Sequence, residues 1–222
     1  MPAVLLSSGR FGVLAKRAVE RSSEFSPDAL AALVFSALWV EAFANELLHR
    51  FGTGRDDEMT EPLRRLRTMA NAADLSARDA RLDVKVQVIA ASLTGSPFDK
   101  GRQPYQDFQL LLRLRNDLVH HKPETVNEAE VEHEGAPLMV PRQLHERVKS
   151  LVARGIIDTP DPKVFYSLVS LLERPQVAQW AFETAARMIR ALADALPREG
   201  LRIMVLTGQW ALRDLPSAGS SA

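Results

Sequence analysis

The run at positions 115–123, RNDLVHHKP, carries the side chains whose chemistry stands out in this chain. Arginine offers a planar fork of donors that matches phosphate oxygens, and histidine, with an ordinary pKa of about 6.5, both gives and takes a proton near neutral pH. Arg115 and His120 therefore indicate phosphate-ester chemistry that needs no metal.

The spacing of these two residues constrains how they can act. Arg115 and His120 are five positions apart, so on an ideal helix, at about 100° per residue, their side chains diverge by roughly 140°. One chain alone holds them poorly together. If two such helix ends meet across a two-fold axis, Arg115 of each chain approaches His120 of either chain, and the spacing predicts a homodimer with a composite cleft.

The same residues resemble the motif of a known family. The arginine, the polar Asn116 directly after it and a histidine after four intervening residues are similar to the motif of the HEPN helical domains. The phrase that leads into the motif, Leu112-Arg113-Leu114, and the earlier helix with Glu41 and Asn45 are also similar to that family. The resemblance spans about 26–123, and residues beyond 124 match only as generic helices.

This resemblance implies a bundle of about four or five helices that dimerises, with Arg115 and His120 of both chains at the cleft. In active members it implies metal-independent cleavage of RNA, in others binding alone. It also implies a toxin or defence effector, with an antitoxin or regulatory protein as a partner. Some toxin members carry a tyrosine, modified by the antitoxin, two positions after the histidine. Lys122 stands there in this chain, which departs from that form of regulation.

A mechanism follows from the side chains themselves. We expect His120 to accept the proton of a ribose 2′-hydroxyl, while a second His120 or water protonates the leaving 5′-oxygen. Arg115 then stabilises the negative charge on the phosphorane, and the products carry 2′,3′-cyclic phosphate and 5′-hydroxyl ends. The alternative is that Arg115 and His120 only cap the helix and bind a carboxylate, since short motifs also match by chance.

Supporting residues are predicted on two helices. Glu41 and Asn45 lie one turn apart on a strongly apolar helix, so we expect both to face one partner, with Arg115 beside Glu41. An ordinary core salt bridge is the plainer role for this pair. Asn116 either orients the site or is a local hydrogen-bonding residue. His121, about 100° from its neighbour on a helix, is expected to be a solvated supporting residue.

Four further cations around the motif are candidate contacts for RNA phosphates, although charge runs more often form solvated helix faces. They are Lys100, Arg102, Arg113 and Lys122.

Composition limits the class of protein. The 28 Lys and Arg residues balance 28 Asp and Glu residues, so RNA contacts must come from a local patch. The chain has no cysteine, which fits a reducing cytoplasm. Positions 1–10 lack a secretory signal, and the apolar run Ala29–Val40 is shorter than the roughly 20 residues of a membrane span, so we expect a cytoplasmic protein without membrane contact.

No cofactor or metal is expected. Gly52-Thr53-Gly54 lacks the third glycine of a dinucleotide fingerprint, and no Walker motif or hydrolase elbow occurs. Glu132-His133-Glu134 with His145 lacks the spacing of helical metal ligands.

Apolar residues recur at helical spacing, which predicts one all-α domain over 1–215, a HEPN-like up-and-down bundle with extra C-terminal helices. Around the motif-bearing core 26–123 we expect a mobile surface excursion at 124–141, helices within 142–196 and a disordered tail at 216–222. The predicted helices are Ala29–Phe51 after an N-cap at Ser26, a helix from Pro62, Ala77–Thr94 capped by Ser76, Pro104–His121, Arg142–Arg154 and Pro175–Leu196. The segment Leu201–Leu206 is expected to be a short strand or a packed extended piece.

Overall fold

The computed structural model describes residues 8–52, 59–75, 80–120, 142–159, 167–207 and 209–212. Helices are the regular secondary structure throughout these ranges, so the all-α prediction is confirmed. They are α1 (Ser8–Arg21), α2 (Pro27–Gly52), α3 (Glu61–Ala72), α4 (Leu82–Thr94), α5 (Tyr105–Val119), α6 (Arg142–Ala153), α7 (Leu168–Leu172), α8 (Pro175–Asp194), α9 (Glu199–Thr207) and a short 3-10 helix (Trp210–Leu212).

Helix α2 is the centre of the fold. Its start matches the sequence prediction: Pro27 is its first residue, and the Ser26 hydroxyl accepts a hydrogen bond from the Asp28 backbone N–H at 3.2 Å. Helices α1, α3, α4, α5 and α8 all pack against it. Leu33 and Phe43 are among its fully buried side chains, so most of the core forms around this helix.

Helix α2 is also long and apolar enough, by length and composition alone, to cross a membrane. Its most apolar window has a mean hydropathy of 1.4, and 50% of that window is buried inside the protein. Core helices of soluble proteins have the same length and composition, so this helix does not by itself indicate a membrane.

The motif-bearing helix α5 is held by its apolar face and by one buried carboxylate. Phe108 and Leu111 are fully buried against the core. Asp107, which is 5% exposed, accepts a hydrogen bond from Arg154 Nε at 3.0 Å and lies 3.4 Å from Arg187 Nη2. These ion pairs fix the N-terminal turn of α5 to α8 and to the turn after α6, and so set where the other end of α5 lies.

The close approach of α1 to α2 depends on small residues. Gly12 and Ala15 are buried at the contact, and the Trp39 ring of α2 lies directly against Gly12. Trp39 also stacks on Phe182 of α8 at a centroid distance of 5.5 Å. A larger side chain in place of Gly12 therefore cannot enter without moving the indole ring.

A buried hydrogen-bond chain joins α1 and α2 to Gln209, the residue before the 3-10 helix. Trp39 Nε1 donates to Gln209 Oε1, and Gln209 Nε2 donates to the Ser8 hydroxyl, each at 2.7 Å. The backbone N–H of Ser8 donates to Glu46 Oε1 at 2.7 Å, so a carboxylate of α2 caps the start of α1.

The sequence prediction was wrong for the segment Leu201–Leu206, which is helical within α9 rather than extended. Leu201 and Val205 are four positions apart, and α9 turns them toward the core, Val205 at 6% exposure. Packing against α8 thus overrides the β-branched, apolar composition that suggested a strand.

Helix α4 begins at Leu82, later than predicted, because Arg81 has an extended backbone at the N-cap and pairs with Asp83 at 2.8 Å. The proposed cap Ser76 lies outside the described residues, as do the predicted excursion 124–141 and the tail 216–222. Helices α1 and α7 were not predicted.

We expect Gly12→Ala to destabilise the fold by about 1–3 kcal/mol, because a Cβ there would lie 2.6 Å from Trp39 Cε2. Inside a helix the same change otherwise stabilises by about 0.5–1 kcal/mol. Urea denaturation measures the difference. Gly101→Ala is the control, since its Cβ would meet only Asp99 Oδ1, at 3.4 Å. Equal unfolding free energies for the two variants would contradict the close packing.

Candidate functional site

Arg115 is held between α5 and α2. Its Nη2 lies 3.1 Å from Glu41 Oε2, and its Nη1 donates to Asn116 Oδ1 at 2.9 Å. The arginine side chain is 23% exposed and that of Glu41 37%. The expected contact between Arg115 and Glu41 is therefore confirmed, and Asn116 orients the same guanidinium.

The guanidinium keeps donors for a further ligand. Arginine carries five N–H donors, and only two of those on Arg115 are used by Glu41 and Asn116. Its Nε is buried and has no hydrogen-bond partner within the described part of the chain. An unpaired buried donor is costly, so a small movement of this guanidinium that lets it donate to an oxygen anion would be favourable.

His120 lies at the end of the same helix. It is the C-cap of α5, and its backbone N–H donates to Asn116 O at 2.8 Å. The side chain is exposed, and no hydrogen bond or ion pair from the described residues holds it. Among the described residues no hydrogen bond joins it to Arg115, which agrees with the divergence that the helical spacing predicts for a single chain. His121 and Lys122 lie outside the described residues.

Glu41 and Asn45 do not share one partner, so that expectation was wrong. Asn45 Oδ1 accepts a hydrogen bond from Lys85 Nζ of α4 at 2.9 Å, while Glu41 pairs with Arg115 of α5. The two residues lie on one face of α2, but that face looks onto two different neighbouring helices, and each side chain reaches its own neighbour.

Lys85 was missed by sequence reasoning. It is 5% exposed, and it falls at helical spacing on the buried stripe that also contains Val86 and Ile89. A cation inside such a stripe is the signal that could have found it, because lysine is almost never fully buried unless it has a partner.

The other candidate cations are spread around the helix. Arg113 is exposed and lies two positions before Arg115, roughly 200° away around α5 and so on the opposite side. Lys100 and Arg102 are exposed in the turns before α5, where Arg102 Nε lies 3.4 Å from Asp99 Oδ2. Arg113 therefore does not lie beside Arg115 on the surface of α5.

A second ion pair fixes the last turn of α5. Arg147 Nε of α6 lies 2.7 Å from Asp117 Oδ2, with both side chains less than one third exposed. This contact, which the sequence did not suggest, stops the motif end of α5 from shifting relative to α6.

Other kinds of site have little support among the described residues. No group of three His, Asp or Glu side chains there could hold a metal ion, and the sequence Glu132-His133-Glu134 lies outside them. A surface cleft of about 550 Å³ opens between α1, α8 and the turn after α6, with Val19, Gly155 and Trp180 in its lining. None of the motif residues lines this cleft.

Comparisons with protein-family models, curated proteins and solved structures give no match for this chain. The HEPN resemblance therefore depends only on the motif and the neighbouring sequence features described above.

We expect a double-mutant cycle of Glu41→Gln and Arg115→Gln to give a coupling energy of about 0.5–1 kcal/mol, since the pair is only partly exposed. Urea denaturation of the four proteins measures it. The matched control is Glu61 and Arg64, a pair at 2.9 Å with side chains 68% and 51% exposed, whose coupling should be close to zero. A coupling for Glu41 and Arg115 no larger than the control's would mean that Glu41 does not hold the arginine.

Proposed function

We propose that this chain is a metal-independent endoribonuclease that acts as a homodimer, and that it serves as a toxin or defence effector. The observation that carries the proposal is that two suitable side chains lie at the same end of α5. One is the guanidinium of Arg115, which Glu41 holds, and the other is the exposed imidazole of His120, which has no hydrogen-bond partner among the described residues. The HEPN-like spacing of Arg115 and His120 adds to it.

The two residues suit different steps. Glu41 and Asn116 limit the rotamers of Arg115, so its remaining donors are oriented before a phosphate arrives, which is what stabilisation of a phosphorane requires. His120, exposed at the C-cap, is free to approach a ribose 2′-hydroxyl and accept its proton. The predicted products have 2′,3′-cyclic phosphate and 5′-hydroxyl ends.

A second protomer completes the site. Within one chain Arg115 and His120 diverge, and an isologous contact between two α5 ends brings the arginine of one chain toward the histidine of the other.

A non-catalytic helical module that binds RNA, a nucleotide or a protein partner is the second candidate. The ion pair between Arg115 and Glu41 favours it, because the same contact serves a purely structural arginine. Cleavage that depends on His120 separates the two candidates.

We expect the wild-type protein to cleave single-stranded RNA in EDTA, and Arg115→Ala and His120→Ala each to lower the rate at least about 100-fold. Gel assays with analysis of the product ends measure this. Arg17→Ala and His49→Ala, at exposed positions on α1 and α2, are the controls. An oligonucleotide with 2′-deoxyribose at the cut should resist cleavage.

Equal cleavage by wild type and His120→Ala would disprove the proposed chemistry. Absence of cleavage by every form, with folding shown by circular dichroism, would favour the binding module.

We also expect Arg115→Ala and His120→Ala, each inactive alone, to regain activity when mixed. If subunits exchange at random, half of the dimers carry both variants, and one of the two Arg115–His120 pairs in each such dimer is intact. With water as the proton donor, about a quarter of the wild-type activity should therefore return. Light scattering checks that the protein is a dimer. A mixture that stays inactive although subunits exchange, which a tagged variant would report, would rule out a site shared between chains.

A further inference from the structure

Lys85 occupies a position where a cation is costly. It is 5% exposed on α4, while its neighbour Val84 is 41% exposed. Packing alone favours the reverse arrangement, with the valine buried and the lysine in water. A residue type that lowers the stability of the fold at its position is characteristic of a functional site.

The contacts of Lys85 leave its charge unbalanced. Its Nζ donates to the neutral amide oxygen of Asn45 at 2.9 Å, and no carboxylate among the described residues pairs with it. An ammonium group has three donors, so two stay available. Asn45 is exposed, so the buried ammonium is bonded to a residue that itself lies at the protein surface.

Lys85 lies next to the motif site. Glu41, which holds Arg115, and Asn45, which holds Lys85, are four residues apart on α2, a rise of about 6 Å along its axis. One turn of α2 thus holds two cations, one from α5 and one from α4. Glu41 balances the charge of Arg115, whereas no carboxylate in the described ranges does the same for Lys85.

We propose that Lys85 and Asn45 bind a second phosphate of the RNA strand, next to the phosphate at Arg115. The proposal rests on the ribonuclease function and adds the path of the substrate, which crosses α2 from α5 to α4. A phosphate supplies the anion that the buried ammonium lacks, and an ammonium is a strong point-charge partner for phosphate. Because Asn45 Oδ1 faces Lys85, its amide nitrogen is left to donate to the same strand.

Binding of a labelled, fully 2′-O-methylated single-stranded RNA, which cannot be cleaved, tests this at several salt concentrations by fluorescence anisotropy. We expect Lys85→Met to weaken binding and to reduce the slope of log K against log salt by about 0.7, the value for one phosphate contact on a single strand. With cleavable RNA, KM should rise and kcat should stay near the wild-type value.

Two other variants complete the test. Lys149→Met removes an exposed lysine of α6 and should leave the slope unchanged. Asn45→Asp gives Lys85 a carboxylate partner, so binding should weaken although the lysine is still present. Thermal melting shows whether the variants fold. If Lys85→Met fails to fold, Asn45→Asp decides the question alone.

The outcomes separate the two proposals. An unchanged slope and KM in folded Lys85→Met and Asn45→Asp, with RNA still cleaved, overturn the second phosphate site and leave the ribonuclease in place. A loss of kcat alone also overturns it. A wild-type protein that neither binds nor cleaves RNA overturns the proposed function, and the Lys85 site with it.

Discussion

A 26-residue helix that is apolar over most of its surface cannot stay in water without partners, and within the described residues six other helices pack around α2. Polar residues on such a helix are costly unless each meets a partner from a neighbouring element. Glu41 and Asn45 meet this condition by reaching to α5 and α4. The packing of α5 and α4 against α2 therefore also places two cations, Arg115 and Lys85, one turn of α2 apart.

Much of the fold could be read from the sequence where the signals are local. The start of α2 is encoded by Ser26 and Pro27, and α8 follows from a regular apolar stripe that begins at Pro175. Helix α1 was not predicted from the sequence, because its buried face is made of small residues such as Gly12, which give little hydrophobic signal. Helix α9 was misjudged because its composition favours a strand and only its packing on α8 makes it helical.

The site shows the same division. Arg115 and its contact with Glu41 could be predicted, because a carboxylate on an apolar helix needs a cation and the motif offers one. Lys85 had a local signal, a cation within an apolar stripe, but its contact with Asn45 could not be predicted, because that contact depends on which helix lies beside Asn45 in space. The ion pair of Asp117 with Arg147 joins two helices separated by a long connection, and its pairing is likewise a tertiary property.

The buried chain from Trp39 through Gln209 to Ser8 has a consequence for biosynthesis. Ser8 and Gln209 are 201 positions apart, and Trp39 and Gln209 are 170 apart. A ribosome makes the N-terminal helices long before Gln209 exists, so until then the Trp39 indole N–H lacks its native acceptor. The nascent chain can bind Ser8 to Glu46 early, but it completes the bonds of Gln209 to Trp39 and Ser8 only late in translation, and a message truncated before codon 209 yields a chain without those two contacts.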